Sequence, residues 1–255
     1  MRNTTNTRFI ERVMRGEPLL GTLLSLPSPE IVEVAVGAGF DWLFIDMEHG
    51  LLDFTAAQRM VQAAGTCPCL VRVPSTQSIE VARALDTGAA GIIVPHVNGA
   101  GDARPAVDAA KYPPLGSRSM GAGRAQGYGR TGDEAVAHHN AETIVVAQAE
   151  HIEAVRNLAE ILAVDGVAAV FIGPFDLSAS LGKPGAITEP EVQEAVGRVV
   201  NACRAAGKPY GIFAVDAAGA AQAFKAGHSL VCVSTDTIIL GRALAGLVKD
   251  AQRGA

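Results

Sequence analysis

The chain has 255 residues, of which 49% are apolar and 18% charged, as is typical of one globular domain with many buried elements. Its net charge is −5 and it has no basic cluster, so the composition argues against binding to nucleic acid or to an anionic membrane. The N-terminal segment, residues 1–17, is polar and lacks a signal-like apolar stretch, and no run of 18 apolar residues occurs. Four cysteines lie in or beside apolar stretches, which favours reduced thiols. We therefore expect a cytoplasmic protein.

Eight short apolar runs recur along the chain. Because they are continuous rather than alternating, they predict parallel strands that helices cover. The predicted strands are residues 19–26, 41–49, 69–73, 91–95, 143–150, 168–174, 210–214 and 230–236. Segments with helical periodicity separate them, and several end in glycine just before the next strand. The clearest helical segments are residues 29–39, 78–88, 152–162 and 191–207.

This alternation predicts an α/β protein of the (β/α)8 TIM-barrel class, with residues 1–255 as a single domain. An open, doubly wound sheet is the competing fold. It needs no eighth strand, and no glycine-rich phosphate loop follows the first strand, so the barrel is favoured. Residues 112–142 interrupt the pattern as a glycine-rich insertion, and long irregular insertions of this kind are usually functional or mobile.

The active site of a barrel lies at the carboxyl ends of its strands, so polar residues that end the apolar runs are the candidates. We expect them all to face one mouth of the barrel. They are Asp46, Glu48 and His49 at the end of strand two, Arg72 on strand three, His96 at the end of strand four, Gln148 and Glu150 at the end of strand five, Asp176 at the end of strand six, which runs through Gly173 and Phe175, and Asp236 at the end of strand eight.

Glu150 and Asp176 end consecutive strands, and neighbouring strands lie about 4.8 Å apart. Two carboxylates at such a spacing repel each other unless a cation or a shared proton lies between them. A hard divalent ion such as Mg²⁺ or Mn²⁺ is one solution. The other is that one carboxylate pairs with an arginine or caps a helix, and the spacing alone leaves both open.

Arg72 lies on an otherwise apolar strand, where a guanidinium must meet an anion from the protein or the substrate. His49 follows two acidic residues at a strand end and could act as a base near neutral pH, or could be a structural histidine. Aldol chemistry needs an electron sink, either a lysine Schiff base or a metal. None of the five lysines falls inside an apolar strand, which disfavours the Schiff base.

Several motifs, in the right order, resemble the HpcH/HpaI aldolase family over roughly residues 18–245. They are AGFDWLFIDMEHG (38–50), VRVP (71–74), YPPLGSR (112–118), VVAQAE (145–150) and GVAAVFIGPFDLSASLG (166–182). The resemblance implies a barrel lyase that uses Mg²⁺, Mn²⁺ or Co²⁺ to cleave 4-hydroxy-2-oxo acids into pyruvate and an aldehyde. It also implies a homo-oligomer, commonly a hexamer built as a trimer of dimers.

The resemblance also implies a role for individual residues. Glu150 and Asp176 would be the metal ligands, and His49 the acid/base, with Asp86 raising its basicity. Arg72 would stabilise the developing enolate oxygen. The remaining site residues would bind the pyruvate carboxylate and keto group, namely Gln148, Gly173 and the backbone at Phe175 and Asp176.

The chain departs from the family pattern at Met47, Phe175 and His151 and in the Leu51–Leu52 pair, which leaves open the preferred aldehyde and the choice between pyruvate and hydroxypyruvate.

Two other functions remain as alternatives. A CoA-thioester lyase of the citrate lyase β-like group would need a pocket for the CoA phosphates, for which the arginines of residues 118–130 are the candidate donors. The second alternative is a non-catalytic binding barrel, and the presence of Glu150, Asp176, Arg72 and His49 at the strand ends argues against it.

Overall fold

Eight parallel strands pair in chain order, and the last pairs with the first to close a barrel in the computed structural model, which describes residues 4–130 and 134–253. The strands are β1 (Leu19–Leu24), β2 (Trp42–Asp46), β3 (Cys69–Arg72), β4 (Gly91–Val94), β5 (Ile144–Ala149), β6 (Val167–Ile172), β7 (Tyr210–Ala214) and β8 (Leu230–Thr235). All eight predicted strands are present, so the (β/α)8-barrel prediction is confirmed.

The strands alternate with helices that cover the outside of the barrel. The helices are α1 (Thr4–Met14), α2 (Pro29–Ala38), α3 (Phe54–Ala63), α4 (Ser78–Asp86), α5 (Ala100–Ala110), α6 (Glu134–Ala141), α7 (Ile152–Arg156), α8 (Leu158–Leu162), α9 (Pro174–Ser180), α10 (Pro190–Ala205), α11 (Ala217–Lys225) and α12 (Asp236–Arg253). The helix predicted over residues 152–162 is instead two short helices, because the backbone at Asn157 leaves the helical region.

The ends of α2 show how the local sequence sets a helix. The Ser28 side chain accepts a hydrogen bond from the Ile31 backbone N–H, and Pro29 occupies the first helical position. Gly39 ends the helix with φ 93°, a left-handed conformation that glycine adopts without a steric penalty. The chain then enters β2 directly, as the glycine in the sequence predicted.

Three aromatic rings fill the barrel interior. Trp42 and Phe44 lie 6.1 Å apart between ring centroids, and Phe171 meets both rings edge to face at 6.4 and 5.6 Å. Gly21 accommodates this packing, because a Cβ at that position would lie 2.4 Å from the Trp42 ring. Helix α1 closes the amino end of the barrel by burying Phe9 and other apolar side chains in the same cluster.

The irregular residues 112–130 lie at the amino end of the barrel, because they follow the carboxyl end of α5 and lead towards the start of β5. Lys111 Nζ donates to the carbonyl oxygens of Asn140 and Thr143, 2.6 Å away in both cases. Arg124 Nη1 donates to the Thr87 carbonyl oxygen, just after α4. The segment therefore packs at the end of the barrel opposite the mouth where strands β1 to β8 finish.

Helix α12 differs from the other long helices because only its first residue, Asp236, is buried. The Asp236 carboxylate anchors it to the β1–α2 loop by accepting hydrogen bonds from the backbone N–H groups of Ser25 and Leu26 and from the Ser25 hydroxyl, each 2.9 Å long. Beyond this anchor, the helix exposes a row of large apolar side chains to solvent. These are Ile238, Ile239, Leu240, Leu244, Leu247 and Val248.

Candidate active site

A cavity opens at the carboxyl end of the barrel, with Phe44 and Phe171 of the aromatic core among its lining residues. Six of the eight predicted site residues also line it, and they come from four different strand ends. The six are His49, Arg72, Gln148, Gly173, Phe175 and Asp176. The seventh, Glu150, lies directly beside this group, since its Oε2 accepts a hydrogen bond from the Gln148 side chain.

Arg72 is held rigidly by two carboxylates from the neighbouring strand end. Its Nε and Nη2 donate to the two oxygens of Asp46, 2.8 and 2.7 Å away, and its Nη1 lies 3.0 Å from Glu48 Oε2. Burial opposes the charge on Arg72, but the bonds to Asp46 and the nearby carboxylates outweigh it, so its pKa is raised. The predicted need for an anion is thus met within the protein, and the guanidinium has a fixed orientation.

Asp46 also shapes the turn that carries the predicted base. Its Oδ1 accepts hydrogen bonds from the backbone N–H groups of Glu48 and His49, at 3.1 and 3.4 Å. The His49 side chain is 65% exposed and its Nε2 lies 3.9 Å from Glu48 Oε2. One buried carboxylate therefore orients the guanidinium and fixes the backbone of the turn that presents the imidazole to the cavity.

Glu150 is buried and surrounded by polar groups. Its Oε1 accepts a 2.7 Å hydrogen bond from the His96 backbone N–H. Burial, followed by the negative charges of Glu48 and Asp176, raises the pKa of Glu150 even though the His96 N–H lowers it. Gly173 permits the close packing, because a Cβ there would lie 2.9 Å from the Glu150 Cβ. The carboxylate is thus placed where a nearby cation would favour its ionised form.

His96 completes a group of potential metal ligands around Glu150. Its Nε2 lies 2.9 Å from Glu48 Oε1 and its Nδ1 lies 3.4 Å from Glu150 Oε1. Ligand atoms of Glu48, His96 and Glu150 all lie within 4.8 Å of one another. Asp176, the second predicted ligand, is exposed on the first turn of α9 in the same cavity.

These residues fit a divalent cation. The carboxylates of Glu48 and Asp176 both lie close enough to Glu150 to raise its pKa and so disfavour its ionisation. The buried Gln148 Oε1 has no hydrogen-bond donor among residues 4–130 and 134–253. Such an unpaired acceptor is costly unless a ligand or water donates to it. Oxygen donors with one imidazole are a set that Mg²⁺, Mn²⁺ or Co²⁺ accepts.

Asp86 does not join this group within the chain. It ends α4, just before β4 begins, and so lies at the amino end of the barrel, whereas His49 follows the carboxyl end of β2. There its Oδ1 accepts a 2.6 Å bond from Arg118 Nη2 and a 3.3 Å bond from Gln126 Nε2. The arginines proposed for CoA phosphates lie at this same end, so they cannot serve the cavity of their own chain.

The lysines do not provide a Schiff-base site. Burial lowers the pKa of Lys111 to about 8, but this residue lies at the amino end of the barrel, bound to two carbonyl oxygens. Lys183 pairs with Glu191 and Lys208 donates to the Val167 carbonyl oxygen. No lysine lines the cavity formed by the described residues.

The sequence predicts Asp46, Glu48 and His96 at strand ends but assigns them no role. Their position was the available signal, because Glu48 and His96 lie two residues beyond the ends of β2 and β4, the strands on either side of β3, which carries Arg72. Spacing along the chain predicts that such residues share a mouth of the barrel. It does not say which side chains turn towards one another, and that pairing defines the Glu48–His96–Glu150 group.

Comparisons with known proteins identify the family of this chain. The family model HpcH/HpaI aldolase/citrate lyase matches residues 20–243. The chain is 39% identical to a 2-keto-3-deoxy-L-rhamnonate aldolase of Klebsiella pneumoniae, over 92% of this chain and 90% of that protein. It is 36% identical to a hydroxypyruvate/pyruvate aldolase of Pseudomonas aeruginosa, over 97% of this chain and 94% of that one.

Solved structures give the same result. An HpcH/HpaI aldolase/citrate lyase family protein from Burkholderia cenocepacia superposes with a TM-score of 0.92 at 36% identity, over 96% of this chain and 99% of that one. A citrate lyase β subunit from M. tuberculosis, 17% identical with a TM-score of 0.58 over 87% of this chain and 93% of that one, shares the fold alone. The aldolase function predicted from the sequence is confirmed over the CoA-thioester lyase alternative, and the chain belongs to the HpcH/HpaI aldolase/citrate lyase family.

Proposed function

We propose that this protein is a divalent metal-dependent aldolase that cleaves or forms 4-hydroxy-2-oxo acids through the enolate of pyruvate or hydroxypyruvate. The observation that carries the proposal is the convergence of Glu48, Glu150 and Asp176 beside the fixed guanidinium of Arg72, at the mouth of the barrel. The aldolase names of the relatives support the reaction class.

Glu150 and Asp176 would hold Mg²⁺, Mn²⁺ or Co²⁺, with Glu48 and His96 next to them. When bound, the cation would polarise the 2-oxo group of the substrate and stabilise negative charge on its oxygen. Gln148 Oε1 has no donor within the described part of the chain and is available to a water or a substrate hydroxyl. Gly173 and the backbone of Phe175 and Asp176 would complete the surface that binds the pyruvate portion.

In the cleavage direction, His49 would accept the proton of the substrate 4-hydroxyl group. The C3–C4 bond then breaks, its electron pair moves into the enolate over C3, C2 and the C2 oxygen, and the aldehyde leaves. Arg72 would stabilise the enolate oxygen, since Asp46 fixes its orientation before the charge develops. Return of the proton from His49 to C3 gives pyruvate, so that His49 ends the cycle in its starting state.

Metal removal tests the proposal. Protein dialysed against a chelator should form no pyruvate from a panel of 4-hydroxy-2-oxo acids, measured with a coupled dehydrogenase. It should also fail to exchange the pyruvate methyl protons in D₂O, measured by NMR. Added Mn²⁺, Mg²⁺ or Co²⁺ should restore both readouts, because the enolate needs the cation as its electron sink. Full activity after exhaustive removal of metal would refute the proposal.

The proposal includes a homo-oligomer, which we expect to be a hexamer. Exposed apolar patches of several hundred Å² on soluble proteins usually mark interfaces, and the six large apolar side chains of α12 face solvent. The predicted effect of Asp86 on His49 likewise requires an Asp86 from a second copy, because the two residues lie at opposite ends of one barrel. The four free cysteines agree with the proposed cytoplasmic location.

Charge placed on α12 should dissociate the oligomer. The double variant Leu244→Glu, Leu247→Glu places two carboxylates on the exposed apolar row of α12. Burying these charges in an interface without partner groups would be costly. Light scattering after size-exclusion chromatography should show a smaller species with unchanged far-UV circular dichroism. The matched control Glu194→Gln, on exposed α10 sequence, should keep the wild-type mass. Identical masses for the double variant and the wild type would contradict α12 as the interface.

Among residues 4–130 and 134–253, the structure has no helix with the length and apolar character needed to cross a membrane.

A further inference from the structure

The cavity has two chemically different sides. The side formed by β3, β5 and the Asp176 side chain carries the charged and amide groups assigned above to the pyruvate portion and the metal. The opposite side is formed by β7, β8 and β1, and it presents Phe213, Thr235, Leu23 and Ser25. An aldehyde that reacts at C3 of the enolate must lie beyond the pyruvate portion, and this second side is the remaining wall of the same cavity.

Two aromatic rings dominate this second side. Phe175, at the start of α9, and Phe213, on β7, meet edge to face with ring centroids 6.2 Å apart and an interplanar angle of 69°. Phe175 is 41% exposed, and Phe213 is half-buried. Because its ring remains accessible within the cavity lining, Phe175 offers apolar surface that a bound ligand would cover.

Among the described residues of one chain, the second side offers no cation to a substrate. Apart from His49, Arg72 is the only basic residue among the described residues that line the cavity. The Arg72 guanidinium already pairs with both oxygens of Asp46 and lies 3.0 Å from Glu48. A carboxylate on the far end of an aldehyde would therefore lose its hydration without gaining a partner, which is costly. A short apolar chain has no charge to desolvate, and it gains contact with the two rings.

We propose that the Phe175–Phe213 pair makes this enzyme select uncharged, apolar aldehydes, and that both rings are specificity-determining residues for the acceptor. The proposal rests on the proposed function, since it assigns a substrate class to that same site. It distinguishes this chain from an aldolase whose aldehyde carries a second carboxylate.

Butanal and succinic semialdehyde provide a matched test, because both are four-carbon aldehydes and only the second has a distal carboxylate. In condensation with pyruvate, wild-type kcat/KM should be at least about tenfold higher for butanal. Phe175→Ala and Phe213→Ala should each lower the ratio of kcat/KM for butanal to kcat/KM for acetaldehyde by at least about threefold, since acetaldehyde is too short to cover the rings. Ile79→Ala, an exposed apolar residue on α4, should change neither value.

A cation placed on this wall should reverse the preference. Phe175→Arg should raise kcat/KM for succinic semialdehyde relative to butanal by at least about tenfold, because the carboxylate gains a partner. Equal or better use of succinic semialdehyde by the wild type would overturn the proposal. An unchanged ratio of butanal to acetaldehyde in both alanine variants would also overturn it.

Exchange of the pyruvate methyl protons in D₂O, measured without any aldehyde, separates this proposal from the proposed function. Phe213→Ala should keep this exchange within about twofold of wild type, because the Phe213 ring acts on the acceptor and belongs to no group assigned to the pyruvate portion. If the wild type neither exchanges these protons nor condenses pyruvate with any aldehyde, the proposed function itself fails. If it exchanges them but prefers the charged aldehyde, only the specificity proposal fails.

Discussion

Asp176→Asn is expected to lower kcat/KM for pyruvate formation by about 10³-fold, because it removes one of the two proposed anionic ligands while keeping the side-chain shape. Asp176 is exposed on the first turn of α9, so the substitution should leave the melting temperature within about 2 °C of wild type. Steady-state kinetics at saturating Mn²⁺ measure the first effect, and thermal unfolding monitored by circular dichroism measures the second.

Mn²⁺ binding followed by EPR supplies a readout that does not depend on turnover. The affinity of Asp176→Asn for Mn²⁺ should fall by at least about tenfold, since a charged ligand is replaced by a neutral one. Glu194→Gln removes an exposed carboxylate from α10 and should change neither affinity nor rate. Retention of wild-type Mn²⁺ affinity by Asp176→Asn would show that the cation is held elsewhere, for instance by the Glu48–His96–Glu150 group alone.

Arg72→Lys should produce the second large effect, a fall of about 10²- to 10³-fold in kcat. Lysine keeps the positive charge but cannot donate two parallel hydrogen bonds to Asp46, so the cation loses its fixed orientation. One buried carboxylate oxygen would also lose its donor, which should lower the free energy of unfolding by about 1–3 kcal/mol. Urea unfolding and steady-state kinetics measure the two effects separately.

The matched control is Arg198→Lys, since Arg198 forms only an exposed contact of 3.8 Å with Glu194. It should change the free energy of unfolding by less than about 0.5 kcal/mol and leave the rate unaltered. A kcat for Arg72→Lys within threefold of wild type, in protein that remains folded, would mean that the charge at Arg72 matters but its bidentate geometry does not.

The sequence was sufficient to predict the barrel because parallel strands are buried on both faces and therefore appear as continuous apolar runs. All eight runs became strands with ends shifted by at most a few residues. The same pattern placed His49, Arg72, Gln148, Glu150 and Asp176 at one mouth, since every strand of a parallel barrel finishes at the same end. Neither inference needed any knowledge of side-chain orientation.

Other features depended on tertiary contacts that no local pattern encodes. The pairing of Glu48 with His96 joins two residues that are 48 positions apart in the sequence. The solvent exposure of α12 could not be predicted either, because its apolar periodicity is the same as that of a helix packed on a barrel. The roles proposed for Asp86 and α12 both depend on contacts between copies of the chain. The hydrophobic pattern of a single chain does not predict such contacts.

The aromatic cluster inside the barrel has a consequence for redesigning the enzyme. Phe44 and Phe171 belong to the core and at the same time line the catalytic cavity, and the Arg72 guanidinium lies 5.3 Å from the Phe44 ring centroid. Truncating such a ring typically costs about 3–5 kcal/mol, a large part of the total stability of a domain. A larger substrate is therefore better accommodated by substitutions at the cavity entrance than by truncating Phe44 or Phe171 at its base. Truncating either ring would enlarge the cavity but would also lower the stability of the barrel.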